Sequence, residues 1–187
     1  MKPEELLAIL PVAERLKCNT RHCHTSTGRQ ESVAEHSWRI SLMAMLLTDT
    51  FPEADMNKVI RMCLIHDLGE AFTGDIPAFD KTEGDVRKED AAFDGWVQTL
   101  PAGQKAEISA LLREMNALQT QEAKIYKALD KLEAVIQHNE ADIATWLPLE
   151  YDLQLRYGAE NVEFSPFFRE LKQQIDAWTR QKIEDSK

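Results

Sequence analysis

The run Val59-Ile60-Arg61-Met62-Cys63-Leu64-Ile65-His66-Asp67-Leu68-Gly69 is almost wholly apolar, yet it carries an imidazole and a carboxylate side by side. An apolar run of this kind predicts a helix buried on most of its faces. Burying His66 and Asp67 there costs several kcal/mol unless the groups are paired or bound to a metal. A divalent cation offsets that cost most economically. The fold must then bring further ligands from elsewhere in the chain to this helix.

The rest of the pattern is helical. There is no run of alternating β-branched residues bounded by tight-turn dipeptides, and no internal repeat or low-complexity segment. The expectation is an all-α domain occupying residues 1–187 as one helical bundle. Its first helix covers about 3–17, with Pro11 expected to kink or divide it. An irregular stretch follows from Asn19 to Glu31. Ser32-Val33-Ala34-Glu35 is a capping box opening a helix to about Thr50, on which Val33, His36, Ile40, Met43 and Leu47 share one face. Met43, Met45, Leu46 and Leu47 read as core. The buried helix runs from about Ala54 to Ala71, and further helices are expected near 85–99, 102–116, 120–138, 149–157 and 166–183. Thr120 and Ser165-Pro166 supply the starts of two of them.

Composition narrows the partners. With 32 acidic against 22 basic residues the formal charge is −10, which argues against nucleic acid or an anionic membrane surface. No apolar stretch approaches the ~18–20 residues that span a bilayer. The start of the chain lacks the basic segment and long apolar centre of a signal peptide, so a cytoplasmic protein is expected. Three cysteines without a CxxC pair fit a reducing compartment. Cys18, His22, Cys23 and His24 lie close together, but their spacing argues against a zinc knot. Arg15, Lys17, Arg21, Arg29 and Arg39 face only Glu31 and Glu35 between positions 15 and 39, a local bias that is either a solvated loop or a place to recruit a small anion. The charge run Lys81 to Asp90 reads as a solvated face from which Arg87 or Lys88 could reach a phosphate.

Two of the five histidines, His36 and His66, fall on inward faces of different expected helices. Asp67 adjoins the second, and Asp130 borders the apolar seam Leu129, Leu132, Ile136 of a third. Nitrogen and carboxylate ligands together suit one divalent transition metal (Mn, Co, Fe, Ni or Zn) better than Ca or Mg. Four protein ligands leave open positions for water and substrate.

The order His36, His66-Asp67, Asp130 resembles the HD-domain metal-dependent phosphohydrolases. The resemblance extends to Glu31-Ser32-Val33-Ala34-Glu35-His36-Ser37, to His66 through Thr73-Gly74-Asp75-Ile76-Pro77, and to Leu129-Asp130-Lys131-Leu132-Glu133. It covers about residues 14–140 and is similar to the branch holding the bacterial 5′-deoxynucleotidases and their eukaryotic relatives. It implies metal ligands His36, His66, Asp67 and Asp130, and catalytic carboxylates Glu70 and Asp75. Arg21, fifteen residues before His36, would orient phosphate, and the Asp75-Ile76-Pro77-Ala78 turn would contact the nucleoside. The bacterial pattern has tryptophan where this chain has His22. No histidine lies between Asp67 and His138, which favours one metal over a dinuclear centre. The implied function is removal of phosphate from (deoxy)nucleoside 5′-monophosphates by a homodimeric enzyme. The alternatives are another phosphate ester (a nucleoside triphosphate, cyclic nucleotide or alarmone) or a nucleotide-binding module without turnover.

The chemistry is coherent on its own terms. Glu70 follows His66 by four residues and Asp67 by three, so the three share a helical face. A metal brings water within reach of ionisation near neutrality. Arg21 can hold phosphate oxygens bidentately, and Glu70 or Asp75 can protonate the departing alkoxide or position the nucleophile.

Overall fold

A computed structural model describes all 187 residues. The order is α1 (Pro3–Cys18), β1 (Thr20–His24), β2 (Gln30–Ser32), α2 (Val33–Leu46), α3 (Met56–Ile65), α4 (Glu70–Thr73), α5 (Glu83–Val97), α6 (Ala102–Ala117), α7 (Gln121–Glu140), α8 (Glu150–Arg156) and α9 (Pro166–Asp185). The all-α expectation holds apart from a small antiparallel ribbon in which Thr20 pairs with Ser32 and His24 with Gln30. Sequence gave no sign of that ribbon because Thr-Arg-His-Cys-His is polar and lacks β-branched alternation. It is stabilised by what it rests on: Gln137 of α7 donates from Nε2 to the His24 carbonyl at 2.7 Å.

Helix α7 is the axis of the bundle, packed by α2 and α3 on one side and by α6 and α9 on others. Its residues Ile125, Ala128, Leu129, Leu132 and Val135 meet Ile40 and Ala44 of α2, Val59, Met62 and Cys63 of α3, and Phe168 and Ile175 of α9 in one core. A smaller core of Val12, Leu16, Val33 and Ala71 ties α1 to α2 and α4. The start of α2 is the expected capping box, with Glu35 N–H on Ser32 Oγ at 3.3 Å and Ser32 N–H on Glu35 Oε2 at 2.8 Å. Thr120 Oγ1 likewise caps α7 by accepting from Ala123 N at 3.2 Å. At the head of α9, Pro166 is in place but the Ser165 side chain makes no capping bond.

Several expectations are corrected. Pro11 does not divide α1, which is continuous. Pro11 and Leu7, whose carbonyl loses its donor, both lie on the exposed side, where water satisfies it. Met45 and Leu46 are not core: they are 54% and 71% exposed, because Ile40 and Ala44 take the inward side of α2. The helix expected over 54–71 is two helices, α3 and α4, joined by a tight turn that contains His66 and Asp67.

Candidate metal centre and its cavity

The turn between α3 and α4 is what aims the acidic groups. Overlapping bonds from Leu68 N to Ile65 O, Glu70 N to Asp67 O and Ala71 N to Leu68 O, at 3.0–3.2 Å, wind it with three residues per turn. In that geometry residues i and i+3 eclipse, so Asp67 and Glu70 stand in one line, more closely aligned than a continuous α-helix would place them. His66 closes α3: its Nδ1 donates to the Cys63 carbonyl at 2.9 Å, an acceptor left over at the helix end. Gly69 lets α5 come close, since a Cβ there would lie 2.7 Å from Glu89 Cγ.

His36, fully buried in the first turn of α2, is held from behind by Glu133 of α7, with Nδ1 on Glu133 Oε2 at 2.5 Å. With both Nδ1 atoms committed to acceptors, His36 and His66 turn their Nε2 atoms toward each other at 3.3 Å. Asp67 Oδ2 lies 3.0 Å from His66 Nε2 and 3.9 Å from His36 Nε2. Asp130 Oδ1 lies 3.4 Å from His36 Nε2 and 3.9 Å from His66 Nε2. Metal–ligand bonds of about 2.0–2.2 Å put neighbouring ligand atoms about 3 Å apart, so His36, His66 and Asp67 form one group that could hold a metal ion, with Asp130 Oδ1 next to both imidazoles. Two imidazole nitrogens and two carboxylate oxygens this close together require a proton or a metal cation among them. The other Asp130 oxygen is turned away by Lys127 and Lys131, whose Nζ atoms stand 2.9 and 3.4 Å from Oδ2.

The electrostatics divide the acids into two kinds. Burial opposes ionisation of Asp67 and Asp130, but His66 and His36 outweigh it at the first and Lys127, Lys131 and His36 at the second, holding both well below the usual carboxylate range. Burial and Arg21 oppose charge on His36, yet Glu133 and Asp130 push it up to about 9. Glu70 goes the other way. Burial, then Asp67, Asp75 and Glu89, push it up to about 10, which favours the neutral acid in the metal-free protein. Its Oε2 is buried without a hydrogen-bond partner. Asp75 is raised too, chiefly by burial, with Arg21 pulling it back.

All of this opens on one cavity of about 240 Å³. Arg21, His22, His66, Asp67, Glu70, Asp75, Ile76, Pro77, Ala78 and Asp130 line it together, while His36 lies behind its wall. Arg21 comes from β1 and is steadied by Glu31, with Nε 3.5 Å from Oε2. The volume lies just under the ~300–1,000 Å³ usual for small-molecule clefts and favours a compact ligand. Several lining residues were missed from sequence. Lys81 and Glu89, paired at 2.6 Å, belong to the charge run read as solvated. Arg87 and Lys88 stay outside it, in solvent. Glu133 had a signal, since it sits three residues after Asp130 on the same helix. His138, Glu150 and Tyr157 had none.

A helical bundle that holds two histidines and two aspartates around one point, beneath a cavity of acids and an arginine, defines the class. The chain belongs to the HD domain family, whose model matches residues 13–172. It is 34% identical over 138 residues to the 5′-deoxynucleotidase HDDC2 of Xenopus laevis, covering 72% of this chain and 68% of that one. Against the human HDDC2, also a 5′-deoxynucleotidase, it is 32% identical over 139 residues, covering 72% and 67%. Its fold matches a crystal structure described as a predicted metal-dependent phosphohydrolase from Magnetospirillum magnetotacticum, with TM-score 0.81, 27% identity, and 97% and 95% of the two chains covered.

Proposed function

We propose that this chain is a metal-dependent phosphomonoesterase that releases phosphate from (deoxy)nucleoside 5′-monophosphates. The observation that carries the reading is the pairing of two opposed groups in one cavity: a convergent His36, His66, Asp67, Asp130 set, and beside it a buried Glu70 whose Oε2 has no hydrogen-bond partner. The relatives named 5′-deoxynucleotidase support the substrate class.

His36, His66, Asp67 and Asp130 would hold one divalent transition metal (Mn, Co, Fe, Ni or Zn). When bound, the cation supplies Lewis acidity and a water of lowered pKa. Arg21 binds two phosphoryl oxygens and offsets the negative charge that grows on them. In hydrolysis the bond from phosphorus to the ester oxygen breaks, a bond to a water oxygen forms, and the leaving alkoxide takes a proton. Glu70, whose burial favours the neutral form, is placed to give that proton and is restored by the proton that the attacking water releases. Asp75, drawn back toward ionisation by Arg21 and Lys81, is the acceptor that orients a water or a sugar hydroxyl. Ile76, Pro77 and Ala78 form the nucleoside wall, and His22 replaces a stacking tryptophan there. The chain works as one domain over 1–187, as a cytoplasmic homodimer. The formal charge of −10 does not favour nucleic acid or an anionic membrane surface as partner, and no helix is long and apolar enough to cross a membrane.

The test is a phosphate-release screen over 5′-mononucleotides with the metal content measured. Phosphate release in the presence of Mn or Co, lost in Asp67→Ala, is expected. A metal-loaded protein that leaves every 5′-mononucleotide intact would overturn the assignment.

A further inference from the structure

The cavity has a second convergent donor set, of which the phosphatase reading uses only His22, at the edge of the nucleoside wall. His22 on β1, His138 in the last turn of α7 and Glu150 at the head of α8 place three ligand atoms within 4.8 Å of one another. None of the three shares a hydrogen bond or ion pair with His36, His66, Asp67 or Asp130. We propose that they form a second, independent site for a divalent transition-metal ion, with two imidazoles and one carboxylate as ligands.

His138 repeats the arrangement of His66. Its Nδ1 donates to the Ala134 carbonyl, 2.8 Å away on its own helix, which fixes the proton on that side of the ring. The Nε2 atom then faces Glu150 Oε1 at 2.9 Å. A ring lone pair does not face a carboxylate oxygen unless a second proton or a metal cation accompanies it. Glu150 is buried, and its Oε2 is already taken by the Leu147 N–H at 2.7 Å, so Oε1 alone is turned toward the imidazoles. His22 Nε2 reaches the same oxygen at 3.3 Å. These separations match the about 3 Å spacing of adjacent ligands on a transition metal.

The set is rigidly supported. The Trp146 ring meets His138 edge-on with centroids 6.1 Å apart, and its Nε1 donates to the His138 carbonyl at 3.0 Å. Phe79 stands edge-on to His22 at 5.5 Å. All three ligand residues line the cavity, which leaves the remaining coordination positions open to water or ligand. Two imidazoles against one carboxylate favour the later metals of the divalent series, Co, Ni and Zn, more than the two-carboxylate centre does. The signal lies in three distant segments, which is why the cluster around His22 made no sense as a local zinc knot: Cys18 is exposed, and Cys23 is buried on Glu31.

The competing arrangement is a hydrogen-bonded His–Glu–His triad with no metal affinity, and metal stoichiometry separates the two. The full-length chain, freed of any purification tag, is dialysed against Co²⁺ or Zn²⁺ and its bound metal measured. Two ions per chain are expected for the wild type and one for Asp67→Ala. In the Asp67→Ala background, His138→Ala or His22→Ala should weaken the remaining ion by more than about 100-fold, with loss of its Co²⁺ absorption bands. Two variants guard against a folding defect in either one, and the melting temperature of each is recorded. One ion in the wild type, or a second ion unmoved by both histidine substitutions, would overturn the site.

Discussion

Glu70→Gln should make the metal-free protein more stable at neutral pH while removing its activity. The native protein holds the Glu70 proton up to about pH 10, whereas the unfolded chain releases it near its ordinary 4.5. Because the folded value is the raised one, the contribution of this acid is fully present below pH 4.5 and is lost as pH rises toward 10. Each pH unit in that window removes about 1.4 kcal/mol, so by pH 7 the wild type has lost about 3 kcal/mol on this account. Gln does not titrate and keeps the shape. Urea denaturation with chelator present, at pH 5, 6, 7 and 8, should show the two proteins nearly matched at pH 5 and a gap opening in favour of the variant. By pH 7 the gap reaches about 3 kcal/mol, or about 6–12 °C in Tm. A bound cation favours the ionised carboxylate and should narrow it. Phosphate release should fall by about 10²–10⁴-fold, the usual contribution of a general acid. Parallel stability curves, with no gap opening between pH 5 and 8, would refute the view that Glu70 is a buried neutral acid.

Other perturbations test the remaining supports. Glu133→Gln removes the charge that orients His36 and should weaken metal binding by about 10-fold, read by chelator competition. Its stabilisation by metal at a concentration 100 times the wild-type Kd should drop from about 2.7 to about 1.4 kcal/mol. Arg21→Lys keeps a positive charge but loses the planar fork, so kcat/KM for a mononucleotide should fall by at least about tenfold instead of being preserved. Gly69→Ala puts a Cβ 2.7 Å from Glu89 Cγ and should cost about 1–3 kcal/mol in thermal denaturation, although the backbone at 69 is helical and tolerates alanine.

The candidate centre was legible wherever burial and polarity conflict within a few residues. His66-Asp67 stands out because its neighbours are apolar, and His36 because Val33, Ile40 and Ala44 put it on a core face. The same signal misled about local geometry. An apolar run continues through the Ile65–Gly69 turn just as through a helix, because both are buried, so hydrophobic pattern cannot mark the change of winding that lines up Asp67 with Glu70. The ribbon was invisible for a different reason. Its strands are polar, and one of the bonds that hold it comes from Gln137, more than a hundred residues away.

The groups that escaped the sequence share one property: each acquires meaning only from a partner on another element. Glu133 has only its spacing from Asp130 to mark it until α2 brings His36 Nδ1 to 2.5 Å, and Glu150 looks like any helix acid until β1 and α7 bring two imidazoles to one oxygen. Glu89 looks solvated until Gly69 admits α5 to the cavity wall. A carboxylate buried among such neighbours has no local pattern to betray it, since its environment is set by packing between helices that are separately ordinary. The acidic composition therefore says little about the site. What matters is that a few of the 32 acids are carried inward by helix packing, where ionising them requires a histidine, a lysine or a cation at contact distance.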